Sequence, residues 1–455
     1  MNAENVVEKM VAAPAVALES TVETSQKIAQ SLTKQKPLKE AKSFWRTLGP
    51  GLTTGASDDD PSGIATYSQT GAQFGFQLLW LAAFSYPFSA AIQDMCARLG
   101  MVTGRGLAAN IRRHYPKWVL YTCTILLFTA NTINVGADLG AMAKATQLIV
   151  PQASFAFLII GFSVLILVLQ IYMSYEKYAK YLKYLALFLV AYVLSGLSLN
   201  LDWRALITMS FLPTSISTKA QIMMVCAALG TTISPYLFFW QTSQEVEEET
   251  LKGRLTHKLR SGASWRDIKR MRVDVWAGIF FSNIVMYFII VTCAATLFSA
   301  GITDITSAEQ AATALKPLVG NNAYLLFTIG IIGTGLLAVP ILAGSAAYAL
   351  SESLGWKFGL YRKLRRATAF YGAIIISVII GLLMNFIGLD PIKTLIYTAV
   401  LNGLIAPIIL VLIVRMSSNE KIMGRHVNHP LLKILGWCIT ILMSVVGVAT
   451  ILTMF

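Results

Sequence analysis

Long apolar runs recur along this chain, and they constrain its fold more than any other feature. Each is close to the roughly 20 residues that a helix needs to cross a bilayer. Only 13% of the 455 residues are charged, which is too little polar surface to enclose these runs in a soluble protein. The sequence therefore predicts an all-α integral membrane protein. Its eleven predicted transmembrane helices are 48–76, 78–97, 118–143, 154–173, 181–199, 221–243, 275–299, 323–350, 368–389, 394–414 and 431–454.

Lys and Arg residues are unevenly divided between alternate connections. With the N-terminus inside, 32 of the 37 fall on cytoplasmic segments and five fall outside. Because short cytoplasmic loops retain positive charge, this split predicts a cytoplasmic N-terminus and an outer C-terminus. A bacterial inner membrane fits this topology. The net charge of +14 then follows from topology, and we expect no nucleic-acid partner, because the basic residues lie between apolar runs.

Composition divides the chain into a tail and a membrane domain. Residues 1–43 lack aromatic residues and any spanning run, which predicts a mobile cytoplasmic tail. Residues 44–455 form the predicted transmembrane transporter domain. Two of its spans are irregular and lie five spans apart, which indicates two inverted five-helix repeats, about 48–199 and 221–414, followed by an extra helix at about 431–454.

The two irregular spans carry the polar residues that suggest chemistry. The first contains Asp58, Asp59 and Asp60 before Pro61, and the sixth contains the polar stretch 230–235, which ends in proline. Carboxylates in a membrane cost several kcal/mol on most scales and are functional by default. Carboxylate, hydroxyl and carbonyl oxygens suit hard cations, and neither break has the Lys or Arg that an anionic substrate would need. We therefore expect a cation site at the breaks.

At this point the sequence resembles a known family. Residues 60–66, Asp-Pro-Ser-Gly-Ile-Ala-Thr, are similar to the Asp-Pro-Gly-Asn-x-Ala-Thr motif of the Nramp (natural resistance-associated macrophage protein) divalent metal transporters. Weaker matches follow in the family's order between about residues 44 and 430. The resemblance implies a leucine-transporter-like fold with broken first and sixth helices. It also implies a divalent cation as substrate, the lipid bilayer as surroundings, no cofactor and no enzymatic activity.

The resemblance also assigns candidate ligands and shows departures from the family pattern. Asp60 matches the family's metal-binding aspartate, and Asp59 is a candidate second carboxylate. Gly63 replaces the family's asparagine and Ser234 its methionine, while Ser57 and Thr231 fall where backbone carbonyls bind the metal. Without the thioether, which favours softer transition metals, we expect an all-oxygen site for magnesium, manganese or both.

The family's proton route is altered as well. Asp138 matches a family aspartate in the third span, but Tyr236 and Gln241 replace two histidines of the sixth span. Without imidazoles near neutral pKa, we expect weak or no proton coupling, similar to the magnesium-transporting branch of the family. Asp58 and Asn402 are further candidates for the cation pathway.

Two alternatives from other functional classes remain open. The reduced ligand set also fits a non-transporting Nramp-like receptor, and Gly63 and Ser234 would leave room for an organic solute in a carrier of the same fold. An enzyme is not expected, because the spans contain no nucleophile–base or metal–histidine arrangement. We infer no obligate protein partner.

Overall fold

A computed structural model describes residues 49–173, 190–254 and 256–454, and all regular secondary structure in these ranges is helical. In chain order the α-helices are α1 (Pro50–Asp58), α2 (Pro61–Phe74), α3 (Trp80–Thr103), α4 (Leu107–His114), α5 (Lys117–Gln147), α6 (Phe155–Tyr172), α7 (Val190–Ser198), α8 (Trp203–Phe211), α9 (Lys219–Thr232), α10 (Pro235–Leu251), α11 (His257–Arg260), α12 (Trp265–Cys293), α13 (Ala308–Thr313), α14 (Lys316–Val319), α15 (Ala323–Leu354), α16 (Thr368–Met384), α17 (Pro391–Ser417), α18 (Glu420–Met423) and α19 (Pro430–Met454). A π-helical turn, Ala294–Phe298, extends α12.

Several of these helices are suited to a bilayer. Seven helical segments of the described ranges are long and apolar enough to cross a membrane, and α16 is a shorter apolar helix. The chain is thus a multi-pass membrane protein, and eleven spans stays a prediction. The predicted tail at 1–43 and residues 181–189 of the predicted fifth span lie outside the described residues.

The predicted breaks of the first and sixth helices are confirmed. α1 ends at Asp58 and α2 begins at Pro61, while α9 ends at Thr232 and α10 begins at Pro235. Proline suits the first position of a helix, because its fixed φ fits the first turn and its missing N–H would have no partner there. It also cannot continue the preceding helix without a clash. Each proline therefore ends one half-helix and starts the next.

α1 packs against α12 through backbone rather than through large side chains. A Cβ atom added to Gly55 would lie 2.3 Å from the carbonyl oxygen of Gly278. Small residues permit this close approach of two membrane helices. The Asp274 carboxylate of α12 accepts hydrogen bonds from the amides of Gly51 at 2.7 Å and Leu52 at 3.2 Å. These contacts fix the N-terminal end of α1 to α12.

We expect Gly278→Ala to destabilise the protein. A Cβ at Gly278 would lie 2.3 Å from the carbonyl oxygen of Gly51, so the helices must separate. Overpacking of this kind costs roughly 1–3 kcal/mol. The control is Gly372→Ala in α16, where a Cβ would meet nothing within 4 Å. Thermal unfolding of the detergent-purified protein should show a lower melting temperature for the first variant only; equal melting temperatures would contradict the close contact.

Candidate metal site at the helix breaks

The two helix breaks lie in the interior of the protein. Asp58 and Asp59 are 0% exposed, Asp60 is 1% exposed and Ser234 is 0% exposed. α2 packs against both α9 and α12, and α17 packs against α2 and α9. The break residues are therefore closed to solvent in this conformation.

Among the three aspartates of the first break, the Asp60 carboxylate accepts the most hydrogen bonds. Its Oδ1 atom accepts hydrogen bonds from the Gly63 amide at 2.6 Å and the Ser62 hydroxyl at 2.8 Å, which caps α2. Its Oδ2 atom accepts a hydrogen bond from Nδ2 of Asn134 on α5 at 2.9 Å. Three donors thus hold one carboxylate at the start of a half-helix.

A second carboxylate approaches Asp60 from α5. Asp138 lies one helical turn after Asn134 and interacts electrostatically with Asp60. Both of its carboxylate oxygens are buried, and neither has a hydrogen-bond partner. The predicted pathway residue Asp138 therefore lies one turn along α5 from Asn134, which donates to the candidate ligand Asp60.

Asp58 and Asp59 lie near a different helix. The Ser282 hydroxyl of α12 donates a hydrogen bond to Oδ2 of Asp58 at 2.8 Å. The Asp59 carboxylate has no hydrogen-bond partner, and it interacts more strongly with Asp58 than with Asp60. The three adjacent aspartates therefore divide, with Asp60 held from α5 and Asp58 held from α12.

The second break supplies hydroxyl and carbonyl oxygens. The Ser234 hydroxyl donates a bifurcated hydrogen bond to the carbonyl oxygens of Gly230 at 2.6 Å and Thr231 at 2.7 Å. The Tyr236 hydroxyl donates to the carbonyl oxygen of Ser57 across the two breaks at 2.7 Å. Both predicted carbonyl positions therefore already accept one hydrogen bond. A carbonyl oxygen has a second lone pair, so each can still bind a cation.

The remaining predicted residues continue the polar interior. Oε1 of Gln241 lies 2.5 Å from the Thr54 hydroxyl of α1, and its Nε2 donates to Glu245 at 2.9 Å. Asn402 on α17 is buried, and its Oδ1 atom has no hydrogen-bond partner. Gln241 therefore joins α1 to α10 at the end remote from the breaks.

No basic side chain in the described ranges forms an ion pair with these aspartates. The ion pairs there join Asp94 to Arg98 and Arg272, and Glu249 to Lys252 and Arg254. The described residues also contain no group of three or more His, Cys, Asp or Glu side chains that could hold a metal ion. A cation at the breaks would therefore need neutral oxygen ligands or water beside the carboxylates.

Residues 51–453 match the family model described as natural resistance-associated macrophage protein-like, or Nramp. The chain belongs to the Nramp family. The divalent metal cation transporter MntH of Klebsiella pneumoniae is 26% identical over 397 residues, which cover 86% of this chain and 90% of that protein.

Solved structures show the same fold. The Eremococcus coleocola manganese transporter, solved with an aromatic bis-isothiourea substituted compound, has a TM-score of 0.70 at 18% identity, with 90% of this chain and 87% of that chain covered. Mhp1, a nucleobase-cation-symport-1 family transporter, has a TM-score of 0.54 at 14% identity, covering 89% and 91%. At these identities the likeness shows the fold alone.

Family membership confirms several sequence predictions. The all-helical fold with inverted repeats and broken first and sixth helices is that of the leucine-transporter-like proteins. Nramp proteins are transporters rather than enzymes, and they move divalent metals as substrates without a cofactor.

Sequence reasoning missed two residues of this region. Asn134 is not among the predicted site residues, although it lies four positions before Asp138 and therefore on the same helical face. That spacing could have identified Asn134 as a residue of the site. Ser282 carries no such signal, because its contact with Asp58 joins positions 224 residues apart.

We expect Asn134→Ala to weaken cation binding by about tenfold or more, since a hydrogen bond to a charged group contributes roughly 1.5–3 kcal/mol. The matched control is Asn131→Ala, because Asn131 bonds to the Leu342 carbonyl and the Ser345 hydroxyl rather than to a carboxylate. Calorimetric titration with manganese should show weaker binding for the first variant. Wild-type affinity in Asn134→Ala would exclude a positioning role.

Proposed function

We propose that this protein is a secondary transporter or facilitator for divalent cations, magnesium, manganese or both. The cation binds at the breaks between α1 and α2 and between α9 and α10. One observation carries the proposal. The carboxylates of Asp60, which lies at a break, and of Asp138 on α5 are both buried. Neither forms an ion pair with a basic residue of the described ranges.

The physical argument starts from the cost of buried negative charge. An ionised carboxylate removed from water is stable only when it is paired, hydrogen-bonded or bound to a metal. Asp60 has three hydrogen-bond donors, whereas Asp138 has none. A divalent cation between them would compensate both charges. We therefore assign Asp60 as the principal ligand, with the Ser57 and Thr231 carbonyls as neutral ligands beside it.

The ligand chemistry supports the substrate class. Names of relatives, a divalent metal cation transporter and a manganese transporter, agree with a divalent substrate. Ser234 offers a hydroxyl oxygen where the family has a thioether, so soft metals gain no special ligand. Asp59 is a further carboxylate candidate, because it is buried at the same break between Asp58 and Asp60.

Neutral side chains support weak or no proton coupling. Tyr236 and Gln241 occupy the positions of the family's histidines, and both make hydrogen bonds that need no change of charge. Histidine is the residue whose ordinary pKa lies between pH 5 and 8. We accordingly expect uptake to depend little on a proton gradient. Asp58 and Asn402 remain further candidates for the cation pathway.

The charge distribution supports the proposed topology. We place the N-terminus and the tail at 1–43 in the cytoplasm and the C-terminus outside, in a bacterial inner membrane, because 32 of 37 basic residues then lie inside. The transporter domain is 44–455, with repeats at about 48–199 and 221–414 and an extra helix at about 431–454.

We expect Asp60→Ala to abolish cation uptake. Asp58→Ala should have a smaller effect, because Asp58 is held by Ser282 on α12. The control is Glu309→Ala, an exposed carboxylate on α13. Uptake of radiolabelled manganese into proteoliposomes at matched protein content tests this order. Robust uptake by the Asp60 variant would refute the proposed site, and no uptake of any divalent cation by the wild type would favour a receptor.

We also expect Ser234→Met to raise the affinity for cadmium relative to magnesium, because a thioether sulfur binds soft metals better than a hydroxyl oxygen does. Ser444→Met on α19 adds a sulfur away from the breaks and is the control. Calorimetry with both metals gives the ratio of affinities. A wild type that already binds cadmium far more tightly than magnesium would contradict the oxygen-lined site.

A further inference from the structure

A cavity of about 430 Å³ lies where the ends of α3 and α10 meet the segment that follows α15. We name it the basic cavity. Four basic side chains line it: Arg105, Arg260, Lys357 and Arg362. They come from three connections of the chain, after α3, after α10 and after α15. The basic cavity lies apart from the helix breaks and shares none of their residues.

Little negative charge opposes these groups. Within the described ranges, Arg105, Lys357 and Arg362 form no ion pair with a carboxylate. Glu247 is the acidic residue of the lining, and it attracts Arg362. Its oxygens accept hydrogen bonds from the Tyr348 hydroxyl at 2.7 Å and from the amides of Leu360 at 3.0 Å and Tyr361 at 3.2 Å. The lining therefore holds more basic than acidic side chains.

Glu352 adds a second carboxylate at the wall of the cavity, because its hydrogen-bond donors Ala109 and Ser243 are lining residues. Its carboxylate accepts hydrogen bonds from the Ala109 amide at 2.9 Å and the Ser243 hydroxyl at 3.3 Å, at the start of α4. It is not among the lining residues. Burial and the neighbouring Arg113 lower the pKa of the Arg105 guanidinium below its ordinary value.

Topology alone does not account for this arrangement. Retention of positive charge explains why basic residues occur in cytoplasmic connections, but not why they converge on a cavity. Arg365 and Arg366, in the same connection as Arg362, are exposed and do not line it. Convergence of side chains from separate connections is a property of the fold, and it calls for a ligand of opposite charge.

We propose that the basic cavity binds a phosphate-bearing anion. Three of the basic groups are guanidinium groups, whose planar donors match phosphate oxygens in pairs. The volume falls within the range of about 300–1,000 Å³ that is typical of small-molecule sites and is far larger than a halide needs. Trp356 and Phe358 add apolar wall for the group that carries the phosphate.

A bound anion would also act on transport. The lining joins the end of α3 in the first predicted repeat to α10 and the 356–362 segment in the second. A ligand that binds one arrangement of these segments stabilises that arrangement through its differential affinity. Here the stabilised arrangement is the one that buries the helix breaks. Binding of the anion would therefore favour the conformation in which the helix breaks are closed to solvent.

The test measures binding without transport, so its failure would be distinct from failure of the proposed function. Radiolabelled pyrophosphate is equilibrated by dialysis with the purified full chain in buffer with EDTA, because free metals would otherwise bind the probe. We expect saturable binding near one site per chain. Arg105→Gln with Lys357→Gln should weaken it by at least about tenfold, since each lost charge-assisted contact is a strong one.

The matched control is Arg365→Gln with Arg366→Gln, which removes the same number of charges from the same face of the protein. Pyrophosphate affinity should stay at the wild-type value in this variant. Absence of wild-type binding, or equal weakening in both double variants, would overturn the proposal. Lys357→Gln alone changes one exposed side chain and keeps the test valid if the Arg105 variant fails to fold.

Two further binding experiments identify the source of the phosphate group. Binding of pyrophosphate is repeated in nanodiscs of phosphatidylglycerol and of phosphatidylcholine. Loss of binding in phosphatidylglycerol alone would support the proposal with an anionic lipid headgroup as the natural ligand. Equal binding in both would support it with a soluble phosphate compound.

Discussion

The break between α1 and α2 imposes the constraint on which the rest of this structure depends. A helix interrupted within hydrocarbon exposes amide and carbonyl groups that no water can satisfy. Asp60 meets this requirement by capping α2, Tyr236 occupies the Ser57 carbonyl, and Asp274 caps α1. Asp60 therefore has two roles, because it caps α2 and is also the proposed principal ligand of the cation. The proposed metal site and the integrity of the fold share this residue.

The Ser234 hydroxyl affects both the local fold and the proposed metal site. Its hydroxyl donates to the Gly230 and Thr231 carbonyls, which satisfies the end of α9 without a side chain from elsewhere. A methionine sulfur has no proton to donate, so the family's residue must leave those carbonyls to the metal or to water. In this chain the Thr231 carbonyl is already polarised by a hydrogen bond. A strongly hydrated cation such as magnesium can keep its water against such a surface, whereas a metal that needs direct ligands gains less.

The sequence predicted the positions of both breaks because proline, glycine and aspartate act locally on the backbone. Asp60 was assigned by the same local pattern and by family resemblance. The directions of Asp58 and Asp59 could not be predicted, since they depend on the backbone between α1 and α2 and on Ser282, a distant residue in the chain. The role of Asn134 could be predicted in part. Its helical spacing from Asp138 was readable, but its bond to Asp60 required the packing of α5 against the break.

The attachments of α1 indicate how the buried site can open. α1 is fixed by two amides on Asp274, by the Thr54–Gln241 contact and by the close approach of Gly55 to Gly278. Neutral hydrogen bonds contribute about 0.5–1.5 kcal/mol and those to charged groups about 1.5–3. The contacts together amount to several kcal/mol, which is comparable to the few kcal/mol that separate two conformations of a protein. The C-terminal end of α1 carries Asp58 and leads directly to Asp60, so release of its N-terminal end would also shift the proposed ligand Asp60.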